Sequence, residues 1–153
     1  MKKLSLPLAA SELIPHRQTM LLVDELLVYD SKVGAGTVHA GSRLDTVFVV
    51  GDEKGEGALI EEVVLLEMMA QSYACLRGYE DRLAGRAPSL GFLVGVRRFH
   101  CHRPIFFGEE FTVKVVTKVQ LDSFFIAEAV VEAAFESVAE AELKIWLPPQ
   151  AQG

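Results

Sequence analysis

Apolar and polar positions divide the chain into one helical stretch and several extended ones. MLLVDELLVYD (Met20 to Asp30) is rich in apolar residues and predicts a strand closed by the turn Asp30-Ser31-Lys32. A short helical turn at Ala9 to Ile14 precedes it and is stopped by Pro15. AGTVHA (Ala35 to Ala40) alternates small, β-branched and polar residues, as suits a second strand pairing with the first. Between Gly41 and Gly57, charge and glycine interrupt the pattern, leaving a loop with one brief extended piece, VFVV (Val47 to Val50).

IEEVVLLEMMAQSYACLRGY, from Ile60 to about Tyr79, is the helix candidate, with Glu61 and Glu62 in its first turn, where they favour the helix dipole. Val63 to Leu66, Met68 to Ala70, Tyr73, Ala74 and Leu76 leave hardly any face polar, the mark of a helix covered on all sides. After a polar connector (Glu80 to Pro88), four extended runs follow: Leu90–Ile105, Phe111–Leu121, Phe124–Phe135 and Val138–Leu147. Gly108-Glu109, Asp122-Ser123 and Glu136-Ser137 separate them at hairpin spacing, so the strands are expected to be antiparallel. AEAVVEAAF within the third run reads as helical on its alanines, but its bounds and neighbours favour a strand. A sheet must wrap the apolar helix, because nothing else in the chain can cover it. The expected architecture is therefore α+β, a hotdog fold.

With 153 residues, half of them hydrophobic and 24% charged, the chain suits a single domain spanning 1–153. The net charge of −6 argues against nucleic-acid binding, which needs a basic surface. The longest apolar run, Val63 to Ala70, is interrupted by Glu67 and is far shorter than the ~20 residues that span a bilayer, so no membrane segment is expected. The opening MKKLSLPLAAS has a basic start and a small-residue end, but its apolar stretch is short and broken by Pro7, so a secretion signal is not expected. Cys75 and Cys101 show no paired metal spacing and read as reduced thiols, consistent with a cytoplasmic location.

Glu67 is the one charge inside the apolar run, and Gln71 lies a helical turn later on the same face, within hydrogen-bonding reach. A carboxyl group in a poorly solvated site is a candidate proton donor near neutral pH. For a generic helix the plainer reading is that the pair marks the one solvated stripe, with Gly78 continuing it. Among the histidines, His16 sits at a turn between Pro15 and Arg17 and is a candidate general base. His100 and His102 share a strand face, but no third ligand stands at a telling spacing, so no metal is expected. Arg97, Arg98, His100, His102 and Arg103 form a basic cluster suited either to an anionic partner or to a solvated strand edge.

Taken together, these stretches resemble the 3-hydroxyacyl-[acyl-carrier-protein] dehydratases. ELIPHRQTMLLVDELL (Glu12 to Leu27) resembles their Leu-Pro-His-Arg and Leu-Leu-Val-Asp segment, and VLLEMMAQ (Val64 to Gln71) their central-helix motif Leu-Ile-Glu-Ala-Met-Ala-Gln. GVRRFHCHRPIFFGEEF (Gly95 to Phe111) is similar in spacing to their Gly, Arg-Phe, Arg-Pro and Pro-Gly-Asp strand, and VAEAEL (Val138 to Leu143) to the closing strand. GFLVGVRRFHCHRP also resembles the dehydratase-like proteins of aryl polyene pathways.

The resemblance implies a dimeric hotdog, a homodimer or a heterodimer with a related subunit, whose sites at the interface take a helix carboxylate from one subunit and a loop histidine from the other. The substrate it implies is a thioester on an acyl carrier protein or coenzyme A, with no metal or redox cofactor. Backbone N–H groups at the helix start would stabilise the enolate-like oxygen. Glu67 takes the place of the helix carboxylate and Gln71 ends its motif, while Met68, Phe92 and Arg103 are expected to contact the acyl chain or its carrier. The chain departs from the family pattern where Gly-His would fall, reading Gly51-Asp52, and it has no histidine between His39 and His100. The base is then His16 or a partner subunit's histidine; otherwise the chain is a hotdog thioesterase or a non-catalytic subunit.

Overall fold

The computed structural model describes residues 4–41, 44, 48–51 and 57–149. Strands β1 (Leu8–Ala9), β2 (Val23–Asp30) and β3 (Ala35–Ala40) come first, followed by β4 (Leu59–Ile60) and the helix α1 (Val63–Leu83). Strands β5 (Phe92–Cys101), β6 (Ile105–Phe106), β7 (Phe111–Leu121), β8 (Phe124–Ala133) and β9 (Glu136–Trp146) complete the order. One antiparallel sheet runs β1-β2-β3-β7-β8-β9-β5, and β4 pairs with β6 beside it.

The sheet's inner face is set by alternation. Phe111, Val113 and Val115 of β7, Phe125, Ala127, Ala129 and Val131 of β8, and Ala141, Leu143 and Ile145 of β9 are buried, against Leu65, Met68, Met69 and Leu76 of α1. The alanines of β8 thus floor a sheet on which the helix lies close, and AEAVVEAAF is strand through Ala133. This is the hotdog arrangement.

Several boundaries differ from expectation. The helix starts at Val63 rather than Ile60 because the backbone before it is already paired. Val50 N–H donates to Leu59 O at 2.7 Å, Glu61 N–H donates to Phe48 O at 3.1 Å, and Leu59–Ile60 pair with Ile105–Phe106. Glu61 and Glu62 therefore stand before the first helical turn. At its other end the helix continues through Gly78, whose missing side chain leaves room for the carbonyl of Leu13; a Cβ there would lie 2.3 Å from that oxygen. The helix reaches Leu83, into the segment read as connector. There Asp81 is buried and accepts from Arg86 Nε and Nη2 at 3.2 and 3.0 Å and from Ser89 N–H at 2.9 Å.

β2 begins at Val23, since Met20 and Leu21 close a turn onto Arg17 O, and the stretch Leu90–Ile105 is split into β5 and β6 around Pro104. The last hairpin turns at Ala134-Phe135, both at positive φ (49° and 66°), so Glu136 and Ser137 belong to β9. At the start of the chain the short turn is 3-10, at Ala10–Glu12. Of the extended piece Val47–Val50, Phe48 to Val50 run beside β4, and Val47 lies outside the described residues, as does Asp52.

Candidate active site

The helix is not covered all round. Leu66, Glu67, Ala70, Ala74 and Arg77 recur at three- and four-residue spacing and are only half-buried. Glu67, Ala70, Ala74 and Arg77 of that stripe form one wall of a cleft of about 210 Å³. The opposite wall is Ser89, Gly91, Phe92 and Leu93 at the start of β5, with Ile145 and Leu147 at the end of β9. β5 is the edge strand of the sheet, so this wall faces outward beyond the last pairing.

At one end of the cleft, Gln71 organises three neighbours. Its side chain is buried, its Nε2 donates to Met20 O at 2.7 Å and to Glu67 Oε1 at 3.0 Å, and its Oε1 accepts from Leu22 N–H at 2.8 Å. Every bond turns on the amide's fixed polarity, so the glutamine holds the chain before β2 against the helix and fixes the Glu67 carboxylate. That segment carries His16, whose Nε2 lies 3.8 Å from Glu67 Oε1. His16 Nδ1 is buried without a hydrogen-bond partner among the described residues, so no third group sets the ring's tautomer. Glu67 retains 41% of its side-chain exposure in this single chain, so the desolvation expected of a proton donor requires cover from outside it.

The sequence-derived candidates divide clearly. Glu67, His16, Gln71 and Phe92 meet in the cleft. Met68 does not line it: it is wholly buried in the core between helix and sheet. Arg103 is elsewhere, in a bidentate pair with Glu109 (Nη1–Oε2 3.1 Å, Nη2–Oε1 2.7 Å) at the β6 turn. Two other members of the basic cluster lie near acids, Arg98 at 3.7 Å from Glu142 and His102 at 3.8 Å from Glu140. Backbone donors at the helix start are partly engaged too, since Val64 and Leu65 N–H donate to Glu61 O and Glu62 O at 3.1 and 2.9 Å. No group of three or more His, Cys, Asp or Glu able to hold a metal occurs among the described residues.

Residues that the sequence reading missed are Tyr73, Arg77, Ser89 and the Ile145/Leu147 wall. Arg77 was traceable from the spacing 67, 70, 74, 77. The strand ones depend on how β9 brings its end beside β5, which no local pattern records. Burial pushes the phenol pKa of Tyr73 up, against the opposing effect of its 2.8 Å hydrogen bond with Thr117 Oγ1, and the ring is a neutral wall.

A family model for the ApeP-like group, described as ApeP dehydratase, matches residues 8–153. The chain belongs to the ApeP-like dehydratase family. It is thus a dehydratase or dehydratase-like subunit of the fatty acid and polyene type. It is 28% identical over 131 residues to the 3-hydroxyacyl-[acyl-carrier-protein] dehydratase FabZ of Burkholderia lata, covering 86% of this chain and 83% of that protein. The fold is shared with a chain of the dehydratase heterocomplex ApeI:P from Xenorhabdus doucetiae, at a TM-score of 0.79 and 20% identity over 95% of this chain and 94% of that one. It is also shared with the protein PH1136 of Pyrococcus horikoshii, at a TM-score of 0.66 and 16% identity over 95% and 97% of the two chains. No helix of the described residues is long and apolar enough to cross a membrane.

Proposed function

We propose that this chain contributes the helix carboxylate of a 3-hydroxyacyl-thioester dehydratase built from two hotdog subunits. The substrate is presented on an acyl carrier protein or on coenzyme A. The observation that carries the reading is Glu67 itself, fixed by Gln71 and facing His16 in a cleft that Phe92, Leu93, Ile145 and Leu147 also line.

In the reaction a base removes the proton α to the thioester carbonyl while an acid protonates the β-hydroxyl. The carbon–oxygen bond breaks, the α,β double bond forms and water leaves. Glu67 serves as the acid and His16 as the base in this reading. The second subunit closes the cleft along the β5 edge, where Phe92, Leu93, Val94 and Val96 are 45, 38, 50 and 36% exposed in the lone chain. That cover supplies the desolvation that Glu67 lacks. A homodimer meets this need as well as a heterodimer with a related subunit; the pairing of two subunits in the ApeI:P complex supports the latter.

The test is incubation with a 3-hydroxyacyl thioester, following enoyl absorbance and free thiol together, with native mass spectrometry on the same sample. Enoyl product that falls by about 10²-fold or more in Glu67→Gln supports the assignment. Free thiol without enoyl product makes the chain a thioesterase, and neither product in any assembly makes it a non-catalytic subunit. Full turnover in His16→Ala transfers the base to the partner subunit.

A further inference from the structure

The outer face of the sheet, turned away from the helix, changes character along its strands. Towards the Ala134-Phe135 hairpin it carries ion pairs between neighbouring strands, Lys114 with Glu132 at 3.3 Å and Lys118 with Glu128 at 3.6 Å. Towards the Asp122-Ser123 turn it becomes apolar. Phe92, Trp146, Phe124 and Leu121 stand opposite one another across β5, β9, β8 and β7, and are 45, 37, 40 and 67% exposed. Gly95, Lys144, Ile126 and Val119 form the next row. A sheet with one solvated face alternates apolar-in with polar-out, yet here the buried Phe125 has Phe124 and Ile126 on either side of it. A contiguous apolar surface of this kind marks a place where something binds.

A groove of about 380 Å³ runs over these rows, within the size range of small-molecule sites. Val119, Leu121, Phe124 and Ile126 line it, and Gly95 adds no side chain to it. Its charged lining is Arg97, Lys144 and Glu142. Glu142 is engaged by Arg98 at 3.7 Å, whereas neither Arg97 nor Lys144 has an ion-pair partner among the described residues. Lys144 Nζ lies instead 4.9 Å from the centre of the Phe124 ring, which sets the cation directly beside the apolar row.

An apolar floor with two unmatched cations at one side complements an anionic head on an apolar tail. The planar fork of Arg97 suits a carboxylate in particular. The chain's net charge of −6 opposes the approach of an anionic membrane or an acidic protein, while a single small acid meets chiefly the local pair of cations.

We propose that the outer face of the sheet holds a second binding site, separate from the helix cleft, for a free unbranched carboxylic acid. The carboxylate sits between Arg97 and Lys144, and the tail crosses β8 to Val119 and Leu121 on β7. From β5 to β7 is three strand spacings, about 14 Å, the reach of a tail of about ten carbons.

The chain has one tryptophan, and Trp146 stands in the first apolar row, so its fluorescence reports occupancy. Decanoate below its micelle concentration is titrated into the assembled protein, with decanol and decyltrimethylammonium as comparisons. Decanoate is expected to change the emission saturably and to bind about tenfold more tightly than decanol or the cation, the scale of two exposed charge contacts together. Arg97→Gln with Lys144→Gln should erase that preference and leave decanol binding as it was. Gly95→Leu fills the groove and should abolish the saturable change; its Cβ meets Lys144 Cβ at an ordinary 3.5 Å, so thermal unfolding should match the wild type. Should Gly95→Leu not fold, the charge variant decides the matter. Full decanoate affinity in these variants overturns the proposal and moves the acid to the helix cleft, whose wall includes Phe92, 5.8 Å from Trp146 between ring centres. Equal affinity for decanoate and decanol overturns the carboxylate class. A response to phosphatidylglycerol vesicles without one to decanoate overturns the site in favour of a membrane surface, and no saturable change with any probe overturns it outright.

Discussion

Replacing Gln71 by leucine removes the amide that ties the pre-β2 segment to the helix while keeping a similar volume. Leu22 N–H loses its acceptor in a place where Leu22 and residue 71 are both 1% exposed, so no water replaces it. Such an orphaned donor costs about 1–3 kcal/mol. Met20 O also loses its donor, but Met20 is 54% exposed and water reaches that carbonyl, so its share is smaller, about 0.5–1 kcal/mol. The added apolar burial of leucine returns part of this. The net loss is about 2–3 kcal/mol, which for a domain of this size lowers Tm by about 5–10 °C. Thermal unfolding followed by circular dichroism, with a urea titration to confirm an unchanged slope, measures it. Gln71→Glu separates polarity from volume: it keeps an acceptor for Leu22 but sets a second carboxylate about 3.0 Å from that of Glu67, so it should be more destabilised at pH 7 than at pH 4. A Gln71→Leu protein melting within about 2 °C of the wild type would refute the tether argument.

Gly78→Ala should be among the most damaging single-methyl changes, since the new Cβ falls 2.3 Å from the backbone oxygen of Leu13; a loss of about 3 kcal/mol is expected in urea unfolding. At the β6 turn, burial raises the carboxyl pKa of Glu109, but the hydrogen bonds from Arg103 and Phe106 N–H and the arginine's charge outweigh it and hold it below 4.5. The stabilisation from that pair is therefore present above pH 4.5 and lost as pH falls through the folded-state pKa. The gap in urea midpoint between wild type and Arg103→Ala should accordingly be full above pH 4.5 and narrow as the pH is lowered below it. Burial pushes the Cys75 thiol up to about 12, so a disulfide reagent at pH 8 should label it only after unfolding; rapid labelling of native Cys75 would contradict its packing.

The sheet and its central helix were legible because both depend on periodicity, and Val113, Val115, Ala127, Ala129 and Leu143 obey it. Boundaries failed where long-range pairing competed with local preference. Ile60 fits the helix's apolar pattern but is β-branched and pairs with Ile105, and Gly78, which locally signals a helix end, is instead required by the close approach of Leu13. Glu67 and Gln71 were visible as polar residues on one helical face, and their bond to each other followed from spacing. The anchoring of Met20 and Leu22 did not, since those partners lie far off in sequence. The burial of Met68 in the core and the pairing of Arg103 with Glu109 were illegible for a related reason. Position within a motif says which residues are near a site in the chain, but the side of the helix and the acid opposite each arginine are decided by packing.

The edge strand β5 has implications for how the chain is made as well as for how it acts. Its outer side carries backbone donors and acceptors with no strand partner among the described residues, and apolar side chains are exposed from Phe92 to Val96. Its ladder with β9 is irregular between Leu93 and Gly95 and again between Arg97 and His100, where Arg98 has a φ of 55°. Such an edge templates indiscriminate strand addition when left bare. A cell that produces this subunit in excess over whatever caps β5 therefore accumulates aggregation-prone material, so its dosage must be matched to that of its cap.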